Sequence, residues 1–205
     1  MAHKRPLFVT GIGTGIGKTI ISAILVEKLK ADYWKPVQSG DLDNSDTLKV
    51  KDLVTNITSF FHQETYKLTQ PWSPHKSAAI DGIKIELEKF VIPGTKDQLI
   101  IEGAGGLMVP LNEQLLIIDL IRHLNADVVL VSQNYLGSIN HTLLSINALQ
   151  RYQIFVKGII FNGENDLSSE KYILEYSKIK LLGKVPFYPN INKETIINAG
   201  EYITL

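Results

Sequence analysis

Gly11-Ile-Gly-Thr-Gly-Ile-Gly-Lys-Thr19 follows the apolar run Pro6-Leu-Phe-Val9 and precedes Ile20-Ile-Ser-Ala-Ile-Leu-Val26. Strand, glycine-rich loop and helix in that order admit three readings: a cradle for triphosphate oxygens, a dinucleotide site, or a plain flexible turn. The dinucleotide fingerprint G-x-G-x-x-G fails in both frames, since its last position falls on Ile16 when it starts at Gly11 and on Lys18 when it starts at Gly13. It also wants an acid about 20 residues further on, where this sequence has Lys35-Pro-Val-Gln-Ser-Gly40. The phosphate-loop pattern G-x-x-x-x-G-K-[ST] closes on Gly17-Lys18-Thr19, but Ile12 stands at its first glycine and Gly11 comes one place early. The physics survives the shift: amides at a helix start point at anionic oxygens, Lys18 reaches the terminal phosphates, and the Thr19 hydroxyl is a magnesium ligand.

Outward from the loop, short apolar runs alternate with periodic segments. Strands are expected at Leu7–Val9, Tyr33–Val37, Leu99–Ile101, Asp127–Val131 and Val156–Phe161, with a short one ending near Val185. Helices are expected over about 18–30, 44–54, 83–91, 115–124, 139–152 and 168–176, with one more closing the chain. Continuous β-branched strands separated by helices imply an α/β fold, a doubly wound, mostly parallel sheet flanked by helices and of the P-loop NTPase kind. Ligands then bind beyond the carboxyl ends of the strands.

The chain has 205 residues and 44% hydrophobic content, enough to close one core, and its Pro and Gly are scattered, so residues 1–205 are read as a single domain. Lys plus Arg and Asp plus Glu both number 21, which leaves no overall field to attract nucleic acid or an anionic membrane. Cysteine is absent, so disulfides and thiolate metal sites are excluded. The basic opening Met1-Ala-His-Lys-Arg5 leads into an apolar run too short for a signal peptide, and a cytoplasmic, soluble enzyme is expected.

A phosphate loop needs acids for its metal. Glu102 ends the expected strand Leu99–Ile101 and opens Glu102-Gly-Ala-Gly-Gly106, whose missing side chains let phosphate approach the backbone. It can equally be a solvated acid beside a turn. Asp46, in Asn44-Ser-Asp46, suits either a metal ligand or a helix-start acid. Lys35, at the end of the second strand, is placed to face a γ-phosphate, its alternative being a lysine snorkelling off the sheet. Ser39-Gly40 follows as a small polar pair able to take a substrate.

Together, Thr10–Thr19, Lys35–Gly40, Asn44–Asp46, Ser73-Pro74-His75, Glu102–Gly106 and Gly137-Ser-Ile-Asn-His-Thr142, in this order, resemble the dethiobiotin synthetase family over nearly the whole chain. The resemblance implies an ATP- and Mg2+-dependent ligase that joins 7,8-diaminopelargonic acid and CO2 into dethiobiotin, as a homodimer with its substrate site at the subunit interface. It implies catalytic roles for Lys35, Lys18 and Thr14, and substrate contacts from Ser39 and from Gly137, Ser138, Ile139 and Asn140 of the other subunit. ATP is implied to meet Gly15, Ile16, Gly17, Lys18, Thr19, Ile20, Asp46, Glu102, Gly103, Ala104, Gly105, Asn162, Gly163, Pro186, Phe187 and Tyr188. Asn162 takes the part that reads adenine, and the metal ligands are Thr19, Asp46 and Glu102.

Two features depart from the pattern. Gly15 stands where some relatives carry an acid, and the segment after Tyr188 leaves open which of Lys193 and Glu194 approaches nucleotide. Asn162-Gly163 also fits an ordinary strand exit, and His141 fits a local hydrogen bond better than a catalytic base. A partitioning-type switch ATPase carries a further lysine where Gly13 stands, and a GTPase carries Asn-Lys-x-Asp where Asn162 is followed by Gly-Glu-Asn-Asp. A small-molecule kinase shares the loop, and its product keeps the phosphate.

Overall fold

Nine strands and seven α-helices follow the alternation of apolar runs and periodic segments, in a computed structural model that describes residues 5–95 and 97–205. The basic residues Met1–Lys4 lie outside the described residues. In chain order they are β1 (Leu7–Gly11), α1 (Lys18–Leu29), β2 (Asp32–Trp34), β3 (Val37–Ser39), α2 (Asp46–Leu53), β4 (Phe61–His62), β5 (Tyr66–Leu68) and α3 (Pro74–Ile80). The second half continues with β6 (Leu99–Gly106), α4 (Ile117–His123), β7 (Asp127–Ser132), α5 (Ser138–Arg151), β8 (Val156–Asn162), α6 (Leu167–Ser177), β9 (Leu181–Val185) and α7 (Lys193–Ala199).

Seven strands form one parallel sheet in the order β4-β2-β6-β1-β7-β8-β9, and β3 pairs with β5 in a small second sheet. Strand alternation feeds two cores at once. Phe8, Ile101, Val128, Leu130, Ile159 and Phe161 pack on one side, and Leu7, Val9, Ile100, Val129, Val131 and Ile160 on the other. A parallel sheet covered on both faces demands such unbroken apolar strands. The chain order reverses around β1, which sits between β6 and β7, so the crevice of a doubly wound sheet opens at the carboxyl end of β1, where Gly11–Gly17 lies.

Helix α1 buries Ile21 through Val26 without interruption because it lies between the sheet and the helices α2 and α7. Helix α5 fully buries Ser138, Thr142, Ile146 and Leu149, one stripe at helical spacing, flanked by the half-buried Ile139, Leu143 and Ala148. Among the described residues no helix is long and apolar enough to cross a membrane.

Four expectations need correction. The expected helix over 83–91 is an extended segment with a single 3-10 turn at Leu87–Lys89. Its apolar residues alternate, Ile85 is buried, and its backbone is held by other elements, Glu86 N–H donating to Tyr66 Oη and Asn112 Nδ2 donating to Ile85 O. The expected strand Tyr33–Val37 splits into β2 and β3 because Pro36 has no N–H for a ladder. The helix expected from 115 begins at Ile117, where Asp119 accepts from Leu116 N–H. Strand β6 runs on through the glycines to Gly106 instead of ending at Ile101, and Val9 pairs with Glu102. Helix α3 was not foreseen; its first-turn Pro74 after Ser73 is a helix-start signal.

Candidate active site

The loop between β1 and α1 is shaped by its glycines. A Cβ on Gly11 would stand 2.0 Å from Ile16 Cδ1, so the buried Ile16 folds back over a position that only glycine fits. Gly17 caps α1 with φ of 89°, a left-handed conformation that favours glycine, and its Cβ would lie 2.1 Å from Asn162 Nδ2. Asn162, the last residue of β8, donates from Nδ2 to Ile16 O at 3.0 Å and so ties the loop to a strand end two places along the sheet. Gly13, Thr14 and Gly15 are free of such crowding, and Thr14 is exposed beside Gly105, whose Cβ would stand 3.6 Å from Thr14 Oγ1.

Four charged side chains converge below this loop. Lys18 Nζ donates to Gly13 O at 2.8 Å across the loop. Lys35 Nζ lies 2.5 Å from Asp46 Oδ2, 3.0 Å from Glu102 Oε1 and 3.3 Å from Gly103 O. Thr19 Oγ1 donates to Glu102 Oε1 at 2.9 Å. Glu102 and Lys35 are almost fully buried, which settles their alternatives: neither is a solvated strand-end charge. Helix α2 delivers Asp46 because Ser45 caps it, its Oγ accepting from Leu48 N–H at 3.3 Å.

Burial pulls Lys18 down to about 8, against the opposing pull of Glu102. Burial acts on Lys35 in the same direction, but the carboxylates of Glu102 and Asp46 outweigh it and hold Lys35 above the ordinary lysine value. Burial pushes Asp46 up, and the Lys35 ammonium overrides it, leaving the carboxyl below its usual range. The cluster is therefore an ammonium held between two carboxylates, an arrangement worth having in a dry site only when each charge has a partner.

Two residues of this cluster are not among the expected site residues. Tyr33, fully buried in β2, donates from Oη to Glu102 Oε2 at 2.8 Å. Burial, then the charge of Glu102, push its phenol well above the ordinary value, so it stays a neutral donor. Gln38 accepts from Asp46 N–H at 3.2 Å and donates to Gly40 O at 2.9 Å, tying the Gly40 end of the Lys35–Gly40 stretch to the start of α2. Its place inside that stretch, between Lys35 and Ser39, was the available signal. Ser39 Oγ is buried and has no hydrogen-bond partner among the described residues.

The donor set has the chemistry of a magnesium site. Two carboxylates and one hydroxyl, all hard oxygens, meet at Thr19, Asp46 and Glu102, and no group of three or more His, Cys, Asp or Glu side chains capable of holding a metal occurs among the described residues. That fits an ion which arrives with phosphates and keeps several waters, and does not fit an all-protein cage.

The remaining residues lie along the same sheet edge or on the far side of it. Val185 ends β9 opposite Asn162, and Gly163 N–H donates to Val185 O at 2.9 Å, bringing Pro186 next to Gly163, followed by an exposed Phe187 and a half-buried Tyr188. Lys193 and Glu194 are both exposed in the first turn of α7. Gly137, with φ of 102°, caps α5, and Gly137–Asn140 line an open groove that shares no lining residue with the Lys18–Lys35 cluster. His141 Nδ1 hydrogen-bonds Tyr135 Oη at 2.8 Å, the local role expected of it.

A family model described as an AAA domain matches residues 5–195. The ATP-dependent dethiobiotin synthetase BioD of Christiangramia forsetii is 51% identical over 197 residues, covering 96% of this chain and 95% of that protein. The chain belongs to the dethiobiotin synthetase family. The BioD of Cytophaga hutchinsonii is 47% identical, with 94% and 93% covered. Among solved structures, the synthetase-family chain superposes on the MinC:MinD cell division protein complex of Aquifex aeolicus with a TM-score of 0.59 at 12% identity, covering 97% and 94% of the two chains. MinD of Pyrococcus horikoshii complexed with Mg-ADP gives 0.59 at 14% identity, covering 95% and 86%. These two share the fold of the dethiobiotin synthetase chain, a P-loop sheet.

Proposed function

We propose that this protein is a cytoplasmic, homodimeric dethiobiotin synthetase that works as one ATP-dependent ligase domain and forms C–N bonds from 7,8-diaminopelargonic acid, CO2 and ATP. One amine of the diamine attacks CO2, losing a proton to give a carbamate. A carbamate oxygen attacks the γ-phosphorus and ADP leaves, giving a carbamic-phosphoric anhydride. The second amine attacks the anhydride carbonyl, phosphate leaves, and the ureido ring closes.

The observation that carries this reading is Lys35. A switch ATPase has no use for a buried ammonium aimed at the acceptor side of the phosphate loop, whereas a transfer to a carbamate needs fixed positive charge on both the carbamate and the transferred phosphoryl. Lys35 supplies it without a reorganisation cost because Glu102 and Asp46 already hold it in place. Lys18 and the amides of Gly15 to Ile20 cradle the triphosphate, with Gly103, Ala104 and Gly105 alongside. Thr19, Asp46 and Glu102 would hold Mg2+, which supplies charge neutralisation between the β- and γ-oxygens. Thr14 and the unpartnered Ser39 hydroxyl contact the diamine end, and Asn162, Gly163, Pro186, Phe187 and Tyr188 surround the base. Gly137, Ser138, Ile139 and Asn140 receive the substrate carboxylate at the partner's site, since the amides at the start of a helix suit an anion.

Incubation with the diamine, bicarbonate, ATP and magnesium, followed by mass analysis, tests the reading. A product heavier than the diamine by CO2 less water, with free phosphate, is expected. A phosphorylated product points to a kinase.

A further inference from the structure

Glu170, in the first turn of α6, is a buried carboxylate, 1% exposed, that lies outside the phosphate centre. Its Oε1 accepts from Asn134 Nδ2 at 2.7 Å and from Asp166 N–H at 3.1 Å, while Oε2 pairs with Lys184 Nζ on β9. Three elements therefore meet on one side chain. Asn134 belongs to the connection from β7 to α5, the stretch that leads into Gly137, and it also donates to Glu164 O at 2.9 Å in the connection from β8 to α6. The bonds from Ser138 N–H to Tyr135 O and between Tyr135 and His141 stay inside the first connection or its helix. The two bonds of Asn134 reach out of it and fasten it to the second. Both connections line the open groove of about 760 Å³ that holds Gly137–Asn140.

We propose that Glu170, acting through Asn134, is a positioning residue that sets the Gly137–Asn140 amides at the distance and angle a substrate carboxylate requires. This rests on the reading above that those amides receive the carboxylate. Glu170 touches no substrate atom. Removing a carboxylate this deeply buried leaves its partners with unsatisfied groups. Here the dependent group is the Asn134 amide, and a small shift of an anion-binding helix start is enough to weaken recognition.

The test uses the full chain and steady-state kinetics with two diamines, 7,8-diaminopelargonic acid and 7,8-diaminononane, which has the same two amines and no carboxylate. The wild type is expected to show the lower KM for the acid. Glu170→Ala should raise that KM about tenfold while KM for ATP, kcat, and KM for the carboxylate-free diamine stay within about twofold, the separation expected when only ground-state positioning is lost. Glu170→Gln keeps an acceptor for Asn134 and leaves the partly exposed Lys184 free to turn to water, so it should recover most of the loss. Asn134→Ala should reproduce Glu170→Ala, and it carries the test should Glu170→Ala fail to fold. An unchanged KM for the acid in these variants, or an equal rise for both diamines, overturns the role given to Glu170. A wild type with the same KM for both diamines overturns it at an earlier step, by removing the carboxylate site itself, while dethiobiotin formation continues to support the reaction.

Discussion

The phosphate centre, at the ends of β1, β2 and β6, and the α5–α6 groove, beyond β7 and β8, are built on opposite principles. At the centre, Lys18, Lys35, Asp46 and Glu102 are drawn into the protein, and each charge is matched by another charge or by a carbonyl. In the groove the lining side chains Tyr135, Leu136 and Tyr172 are exposed beside the acidic Glu164 and Asp166, and the start of α5 opens into it. The contrast follows from what each must bind. A phosphoryl in transit develops charge that fixed ammonium groups stabilise only when water is kept out. On the proposed function, a spectator carboxylate keeps the same charge throughout, and the amides of a helix start suit it.

Substitutions at the two sites should therefore fail in different ways. Largest is Lys18→Ala, which should abolish turnover, because no other loop cation neutralises the charge between the phosphates. Since burial lowers the Lys18 pKa to about 8, the fold disfavours its charge, and that cost is present below pH 8 and is relieved as pH rises from there toward 10.5. Lys18→Met should thus leave the nucleotide-free protein at least as heat-stable at pH 7 while turnover is lost. A near-normal rate in either variant breaks the phosphate-loop reading.

Next is Lys35→Gln, expected to cost on the order of 10²-fold in kcat with ATP affinity nearly intact, as loss of one preorganised charge does. An ATP binding isotherm beside a rate assay separates the two quantities. Smaller again is Tyr33→Phe, which keeps the ring in the core and removes the donor to Glu102 Oε2. The orphaned buried oxygen should cost about 1–3 kcal/mol of stability and raise the Mg2+ concentration needed for half-maximal nucleotide binding. Glu102→Gln should weaken Mg2+ dependence further by removing a hard anionic ligand. A magnesium titration unchanged in both would return Glu102 to a purely structural part.

The smallest effect concerns His62, whose pKa burial lowers below the usual 6.5 in spite of Asp32, 3.7 Å away. The unfolded chain takes up the proton more readily, so stability should decline as pH falls below 6.5 through the depressed value. In His62→Asn, thermal melts from pH 7 to pH 5 should slope less steeply than those of the wild type.

The sheet could be read from the sequence because its strands are continuous apolar runs, and a run such as Asp127–Ser132 fits a strand covered on both faces. The segment over 83–91 was misread because charges fill the positions between Ile83, Ile85 and Leu87, and only the contacts of Tyr66 and Asn112 show what holds it. Lys18, Lys35, Asp46 and Glu102 were legible by motif. Tyr33 and Glu170 were not, since a tyrosine in a strand and a glutamate in a helix become informative only when folding brings their polar atoms to Glu102 and Asn134.

ADP release with each substrate omitted in turn reports whether the γ-phosphoryl passes to a carbamate held by Lys35. Without carbamate no acceptor oxygen stands in line with the phosphorus. Full release is expected only when ATP, Mg2+, the diamine and CO2 are all present, falling to background when either the diamine or CO2 is left out. Release at the full rate without the diamine would contradict the account and make the protein a nucleotide switch on the same sheet.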